Sequence, residues 1–169
     1  IPFIARIVAD SRQVALNHTA GSSTPWQVQM AIFSIFALLD KENVYKEQTK
    51  EICRRRKHLL YDNFDNLSYK EDPYSTSYYN EIDLLVWAKL KYGEEFVKYL
   101  KEKRNPLGFL FELADRYSIV LLNGSGFEGP SWSIRVSLAN LKDEEYAEIG
   151  KAVNELFSKY AEDWKELQW

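Results

Sequence analysis

The residues of this chain that could do chemistry lie together in "IVLLNGSGFEGPSWSIRVSLAN", residues 119–140. The stretch holds a G-x-G-x-x-G pattern at Gly124, Gly126 and Gly129, followed by the single arginine Arg135. Such a glycine pattern cradles a pyrophosphate when it follows a strand and opens a helix. An arginine instead grips a carboxylate through two parallel hydrogen bonds. The two features therefore predict different ligands.

The glycine pattern lacks the context that nucleotide binding requires. Asp143 lies where a dinucleotide-binding unit would place its ribose-binding acid, but no helix is predicted to open at Gly129. Apolar and polar residues alternate from Trp132 to Leu138, which predicts a half-buried strand. A kinase phosphate loop is disfavoured too, because the strand lysine, H-R-D and D-F-G motifs are missing. We expect the glycines to turn a hairpin connection through positive φ.

Arg135 has two interpretations that spacing leaves open. The alternation places it on the same strand face as Ser133 and Ser137, opposite the apolar residues of the strand. Spacing alone favours a solvent-facing surface, because burying an unpaired guanidinium is costly. The alternative is a cleft in which the planar guanidinium binds a carboxylate.

The other candidate sites are better explained as structure. The basic run Arg54–His58 spreads around a helix axis, so we expect a solvated helix face rather than a nucleic-acid site. His18 and His58 have no companions at metal-ligand spacing, so no metal is predicted. Cys53 lies in a helical pattern and is expected to be a small core residue rather than a nucleophile.

Composition bounds the class of protein. The chain has 169 residues, is 46% hydrophobic and 15% aromatic, and carries a formal net charge of −3. This predicts a folded domain with no general attraction to nucleic acid or to a membrane surface. The single cysteine fits a reducing compartment, and we expect a cytoplasmic protein. The chain starts at Ile1, without methionine and in mid-pattern, so we expect it to be a piece of something longer.

Periodicity predicts helices in the first half. A helical lead-in is followed by the breaker-rich "NHTAGSSTP". Thr24 is then a suitable N-cap for a helix from Trp26 to about Asp40, which should be buried because it is apolar on nearly every side. A long amphipathic helix to about Asn66 comes next.

The second half mixes strands and helices, which predicts an α+β fold with helices packed on a short, mostly antiparallel sheet. "EIDLLVWAKL" favours a strand, although its pattern also admits a helix. The remaining predicted elements are helices Glu94–Lys103 and Asn105–Tyr117, strands Ile119–Leu122 and Trp132–Leu138, and a final helix from Asp143.

Long segments of this chain resemble one enzyme family. They include "ADSRQVALNHTAGSSTPWQVQMAIFSIFALLD", "YYNEIDLLVWAKLKYGEEF" and "NPLGFLFELADRYSIVLLNGSGFEGPSWSIRVSLANL". These segments, with "RRRKHLLYDNF" and the closing helix, are similar to the C-terminal part of the L-aspartate β-decarboxylase branch of the fold-type I, pyridoxal-phosphate-dependent aminotransferases. The glycine and arginine block distinguishes this branch from ordinary aspartate aminotransferases.

The resemblance implies a domain layout. Residues 1–25 would be a lead-in or linker from a missing large domain that binds pyridoxal 5'-phosphate, and residues 26–169 would be the aminotransferase-type small C-terminal domain. Arg135 matches the family arginine that binds the substrate α-carboxylate. The family's catalytic lysine would precede Ile1, so no catalytic or cofactor-binding residue is assigned to this chain.

For the whole parent enzyme, the resemblance implies conversion of L-aspartate to L-alanine and CO2, with an aspartate aminotransferase side activity. Pyridoxal 5'-phosphate would be the cofactor, and the parent would form a homodimer or higher oligomer. The fragment alone would be inactive. Alternatives remain: an ordinary aminotransferase C-terminal domain, a structural or assembly module without catalysis, or a small carboxylate-binding protein.

Overall fold

A computed structural model of the chain describes residues 2–9, 23–65, 67–69, 72 and 74–167. The chain divides into two compact units, Ile1–Lys46 and Glu47–Trp169. The division expected at residue 25 from the resemblance stays a prediction.

The first unit contains two helices whose apolar side chains are exposed. Helix α1 spans residues 2–9 and helix α2 spans Thr24–Leu39. Ser23 is the N-cap of α2, one residue before the predicted cap. The expectation that this helix is buried is wrong within this chain, because α2 buries none of its side chains. An apolar pattern indicates that a helix packs against another surface, but it does not specify which polypeptide provides that surface.

The second unit contains five further helices, a short sheet and one 3₁₀ helix among the described residues. The boundary between the units falls within the first turn of α3. In chain order the elements are α3 (Val44–Tyr61), β1 (Tyr79–Asp83), α4 (Leu84–Tyr92), α5 (Glu94–Lys103), α6 (Pro106–Tyr117), β2 (Leu122–Asn123), the 3₁₀ helix Gly124–Phe127, β3 (Ser133–Ser137) and α7 (Asp143–Glu166). This composition confirms the predicted α+β class.

Capping residues account for the element boundaries that the sequence predicted well. The Asn105 side chain accepts hydrogen bonds from Leu107 N and Gly108 N and so begins α6 at Pro106. At the N-terminus of α7, the Glu145 side chain accepts a hydrogen bond from the Lys142 backbone amide at 2.7 Å. These local bonds are readable from sequence because donor and acceptor are only a few residues apart.

The segment "EIDLLVWAKL" contains two elements rather than one strand. β1 ends at Asp83, whose carboxylate accepts from Leu85 N at 2.9 Å and from Val86 N at 3.1 Å. Asp83 therefore caps α4, and the helix begins in the middle of the predicted strand. The predicted strand Ile119–Leu122 is similarly displaced, since only Leu122–Asn123 pairs with a neighbour.

The three strands form an antiparallel sheet in the order β1-β3-β2. The central strand β3 pairs Ser137 with Tyr79 and Arg135 with Glu81 on one side. On its other side Arg135 pairs with Leu122. β3 is thus the central strand, paired with β1 along one edge and with β2 along the other.

The core lies between the apolar face of β3 and the helices of the second unit. Trp132, Ile134, Val136 and Leu138 are each at most 4% exposed, which confirms the predicted apolar face of the strand. Phe157 on α7 packs against Trp132, with ring centroids 6.5 Å apart. Burial of this face fixes the direction in which the opposite face of β3 points.

Candidate carboxylate-binding site

The polar face of β3 is not the solvent surface that spacing alone favours. Ser133 is 1% exposed, and Arg135 and Ser137 are half-buried. Ser133 Oγ donates a hydrogen bond either to Glu81 Oε1, 2.9 Å away, or to Pro130 O, 2.8 Å away. This face of β3 is therefore partly covered, as the cleft interpretation expects.

Arg135 is held by aromatic rings rather than by an acid. Its Cζ atom lies 3.9 Å from the centroid of the Phe127 ring and 4.2 Å from that of the Tyr79 ring. Among the described residues, no carboxylate forms an ion pair with Arg135. Its hydrogen-bond donors are therefore open to a ligand, which is the arrangement a carboxylate-binding arginine requires.

The glycine loop makes room for a carboxylate of the protein itself. A Cβ atom on Gly129 would lie 1.8 Å from Glu81 Oε1, and one on Gly124 would lie 2.6 Å from the same oxygen. The expected positive φ at these glycines is wrong: the left-handed residue of the loop is Glu128, at φ 62°. The glycines are needed here for close approach rather than for an unusual backbone angle.

A cavity of about 630 Å³ lies beside Arg135. Its walls come from the connection between α6 and β2, from β3, and from the first turns of α7. Among the described residues that line it, Arg135 is the only basic one. The volume falls within the range of small-molecule sites.

The acidic residues of this cavity already have partners. Glu145 accepts the Lys142 amide hydrogen bond, and Glu148 Oε1 lies 2.7 Å from Lys151 Nζ. The positive charge of Arg135 has no such partner among the described residues. The guanidinium is therefore available to an anion that enters the cavity, whose lining also carries the carboxylates of Glu145 and Glu148.

Ser137 adds a second polar group to the cavity. It lies two residues after Arg135 on β3, and both residues line the cavity. Its Oγ atom is buried and has no hydrogen-bond partner within the part of the chain that the structure describes. A buried hydroxyl without a partner is unusual and is satisfied when a ligand or water supplies one.

The basic run has a structural role. Arg55 Nε and Arg56 Nε bind the two carboxylate oxygens of Asp143 at 2.7 and 2.9 Å, and Arg56 also donates to Leu138 O. These hydrogen bonds lower the pKa of Asp143, with Arg55 contributing most. Asp143 is therefore bound to α3 rather than placed beside the glycine loop as a ribose-binding acid would be.

The remaining candidate residues also have structural surroundings. Cys53 is 7% exposed, and burial raises the pKa of its thiol, as expected for a core residue rather than a nucleophile. His58 Nδ1 lies 2.7 Å from the Tyr69 hydroxyl. His18 and most of the loop "NHTAGSSTP" lie outside the described residues.

Sequence reasoning missed Tyr79, Phe127 and Glu81 as neighbours of Arg135. Tyr79 and Glu81 are more than 50 positions away along the chain and reach Arg135 only through the β1–β3 register. Phe127 lies within the glycine pattern itself, where an aromatic between glycines was a signal that could have been noticed. None of these contacts follows from periodicity.

The cavity does not fit pyridoxal phosphate by itself. The cofactor requires a lysine amine for its covalent attachment. No lysine is among the described residues that line the cavity. The described lining of the cavity therefore supplies no group for covalent attachment of this cofactor.

No helix of the described ranges is long and apolar enough to cross a membrane. The described residues also contain no group of three or more metal-ligating side chains.

Comparison with known proteins supports the resemblance seen in the sequence. No family model matches the chain. Over 167 residues, 99% of its length, the chain is 46% identical to a bifunctional aspartate aminotransferase and L-aspartate β-decarboxylase from a Pseudomonas species. It spans only 31% of that relative's length. Over essentially its whole length, then, this chain is homologous to a part of a bifunctional aspartate aminotransferase and L-aspartate β-decarboxylase.

Proposed function

We propose that this chain forms the substrate-carboxylate-binding part of a pyridoxal-phosphate-dependent enzyme that acts on L-aspartate. The whole enzyme would release the β-carboxylate of L-aspartate as CO2 to give L-alanine, with aspartate aminotransfer as a side activity. The observation that carries the proposal is the half-buried Arg135, which lines the cavity and forms no ion pair with an acid of the described residues. Identity of 46% to a relative named for both activities supports the choice of substrate.

The role of Arg135 in this proposal is binding and orientation. Its planar fork would hold the α-carboxylate through two charge-assisted hydrogen bonds and so fix the rotation of the substrate about Cα. The amine chemistry would come from the cofactor and its lysine, which the described residues of this chain do not supply to the cavity. The buried Ser137 hydroxyl is a candidate for a further hydrogen bond to the same ligand.

The exposed apolar surface of α2 supports a larger assembly. This helix has no charged residue over Thr24–Leu39, yet none of its residues is buried. Apolar surface of this kind normally marks an interface. We propose that α2 is covered, in the whole protein, by the large domain for which this chain has no counterpart, and that the parent is a homodimer or higher oligomer.

Substitution of Arg135 in the full-length enzyme tests the proposal. Arg135→Ala should raise KM for aspartate by roughly tenfold or more, because each lost hydrogen bond to a charged group is worth about 1.5–3 kcal/mol. Arg135→Lys should raise KM for aspartate nearly as much, since an ammonium cannot make the two parallel hydrogen bonds of a guanidinium. Arg116→Ala is a matched control, because Arg116 pairs with Glu112 on α6 and does not line the cavity.

Two further measurements separate the alternatives. Alanine and CO2 measured against oxaloacetate distinguish a decarboxylase from an ordinary aminotransferase. The 169-residue chain mixed with pyridoxal phosphate should show no stable aldimine absorbance in the visible range and no turnover of aspartate. A visible aldimine band from this chain, or wild-type kinetics in Arg135→Ala, would contradict the proposal.

A further inference from the structure

The surroundings of the Arg135 guanidinium differ from those of an ordinary surface arginine. Cζ lies about 4 Å from two ring centroids, Phe127 at 3.9 Å and Tyr79 at 4.2 Å. A guanidinium attracted to a ring face directs its N–H groups outward in its own plane. The ring contacts use no N–H group as a hydrogen-bond donor, and no acid of the described residues pairs with Arg135, so the N–H groups that a carboxylate binds stay available.

The acid that could have neutralised Arg135 is held elsewhere. Glu81 lies directly opposite Arg135 in the β1–β3 register, so both side chains leave the sheet on the same face. Ser133 Oγ lies within hydrogen-bonding distance of Glu81 Oε1, and the carboxylate occupies the space left by Gly124 and Gly129. Tyr79, the diagonal neighbour two residues before Glu81, contacts the guanidinium instead.

We propose that Tyr79 and Phe127 form an aromatic clamp that positions the Arg135 guanidinium for its carboxylate ligand. The inference rests on the proposed function and adds two positioning residues to it. An ion pair with Glu81 would compete with the substrate for the same N–H groups. Ring contacts restrict the guanidinium without occupying those groups, so the arginine is ordered before the substrate arrives.

The exposure of the two rings argues against a purely structural role. Tyr79 is 54% exposed and Phe127 is 48% exposed, and neither belongs to the buried core. Replacing either ring should therefore leave the fold intact. Leucine is the suitable replacement, because it keeps apolar volume but has no ring face for a cation.

The kinetic test uses the full-length enzyme. Tyr79→Leu and Phe127→Leu should each raise KM for aspartate by roughly two- to thirtyfold, the equivalent of one lost cation–π contact, with kcat changed much less. Tyr79→Phe and Phe127→Tyr should restore KM, because a ring is present again. Phe111→Leu is the control, since Phe111 is 73% exposed on α6 and does not line the cavity.

A spectroscopic test does not depend on activity. In the 169-residue chain, the Arg135 side-chain protons should show upfield ring-current shifts by NMR, and each leucine variant should lose part of them. The shifts report whether each ring lies against the guanidinium in solution, and the change in KM reports whether that contact serves substrate binding.

The outcomes separate the clamp from the proposed function. If Arg135→Ala raises KM while both leucine variants keep wild-type KM, the clamp is wrong and the proposed function stands. If Arg135→Ala keeps wild-type KM, the proposed function is wrong, and the clamp is wrong with it because Arg135 then binds no substrate carboxylate. Leucine variants whose KM rises without recovery in the aromatic replacements, or unshifted Arg135 protons in the wild-type chain, would also overturn the clamp.

Discussion

Glu81 and Arg135 are paired across β1 and β3, but the Glu81 carboxylate lies within hydrogen-bonding distance of Ser133 Oγ, at 2.9 Å, and not in an ion pair with the arginine. Two opposite charges on facing positions of one sheet would ordinarily attract each other. Here the buried serine and the glycine loop hold the acid to one side. The positive charge at the cavity is a consequence of this arrangement.

Ser133→Ala should release Glu81 toward Arg135. In the full-length enzyme, competition from the freed carboxylate should raise KM for aspartate by roughly two- to fivefold, the strength of an exposed ion pair. Adding Glu81→Gln to Ser133→Ala should restore KM, because the amide carries no charge. An unchanged KM in the single variant, with normal thermal stability, would show that Glu81 does not reach the arginine.

Gly129→Ala and Gly126→Ala form a matched pair in the glycine loop. An alanine Cβ at position 129 would overlap Glu81 Oε1, so the carboxylate must leave Ser133, at a cost of about 1 kcal/mol. A Cβ added at position 126 would have no described heavy atom within 4 Å apart from its chain neighbours. The unfolding free energy of Gly126→Ala should therefore change by less than about 0.5 kcal/mol. Urea denaturation of both variants measures the difference, and equal stabilities would count against the close-approach explanation.

Gly150→Ala should destabilise the contact between α3 and α7. Its Cβ would lie 2.6 Å from the backbone oxygen of Leu60, which cannot swing aside, so we expect a loss of about 1–3 kcal/mol in the unfolding free energy. Gly108→Ala is the control. Its Cβ would meet only Asn105 Cβ at 3.6 Å, so the better helix propensity should stabilise α6 by up to about 1 kcal/mol. A stable Gly150→Ala variant would show that the two helices separate easily.

Acid should weaken the link between α3 and α7. Arg55 and then Arg56 lower the pKa of Asp143 in the folded chain. The resulting stabilisation is complete above the unfolded pKa, near 3.9, and is lost as the pH falls through the lower folded pKa. Urea unfolding as a function of pH should show a steeper acid loss in the wild type than in Asp143→Asn. Parallel curves would mean that the pair contributes nothing to folding.

The exposed apolar surface of α2 should make the 169-residue chain self-associate when no other polypeptide covers it. Ile35 and Leu38 are 57% and 79% exposed, three residues apart on the helix. Replacing both with lysine should shift the chain toward monomer in gel filtration with light scattering, whereas Leu167→Lys, at a site 72% exposed outside α2, should not. A wild-type chain that stays monomeric at high concentration would argue against this interface.

The sequence predicted those elements whose boundaries depend on neighbouring residues. The bounds of α5 are as predicted, and α6 starts at Pro106, one residue after the predicted start at Asn105, because turn and capping residues act within a few positions. The apolar alternation of β3 also identified its buried face. The β1–α4 boundary was missed because the Asp83 cap competed with a strand-like pattern that continued past it.

What the sequence by itself determined is the position of Arg135 on the polar face of a half-buried strand. Only the tertiary structure decided that no acid within the described part of the chain pairs with its guanidinium. The bond between Ser133 and Glu81 joins residues 52 positions apart, and the ring of Tyr79 reaches the arginine only in the β1–β3 register. Register depends on the packing of the whole sheet face, so no local pattern specifies which acid or ring will meet a given arginine.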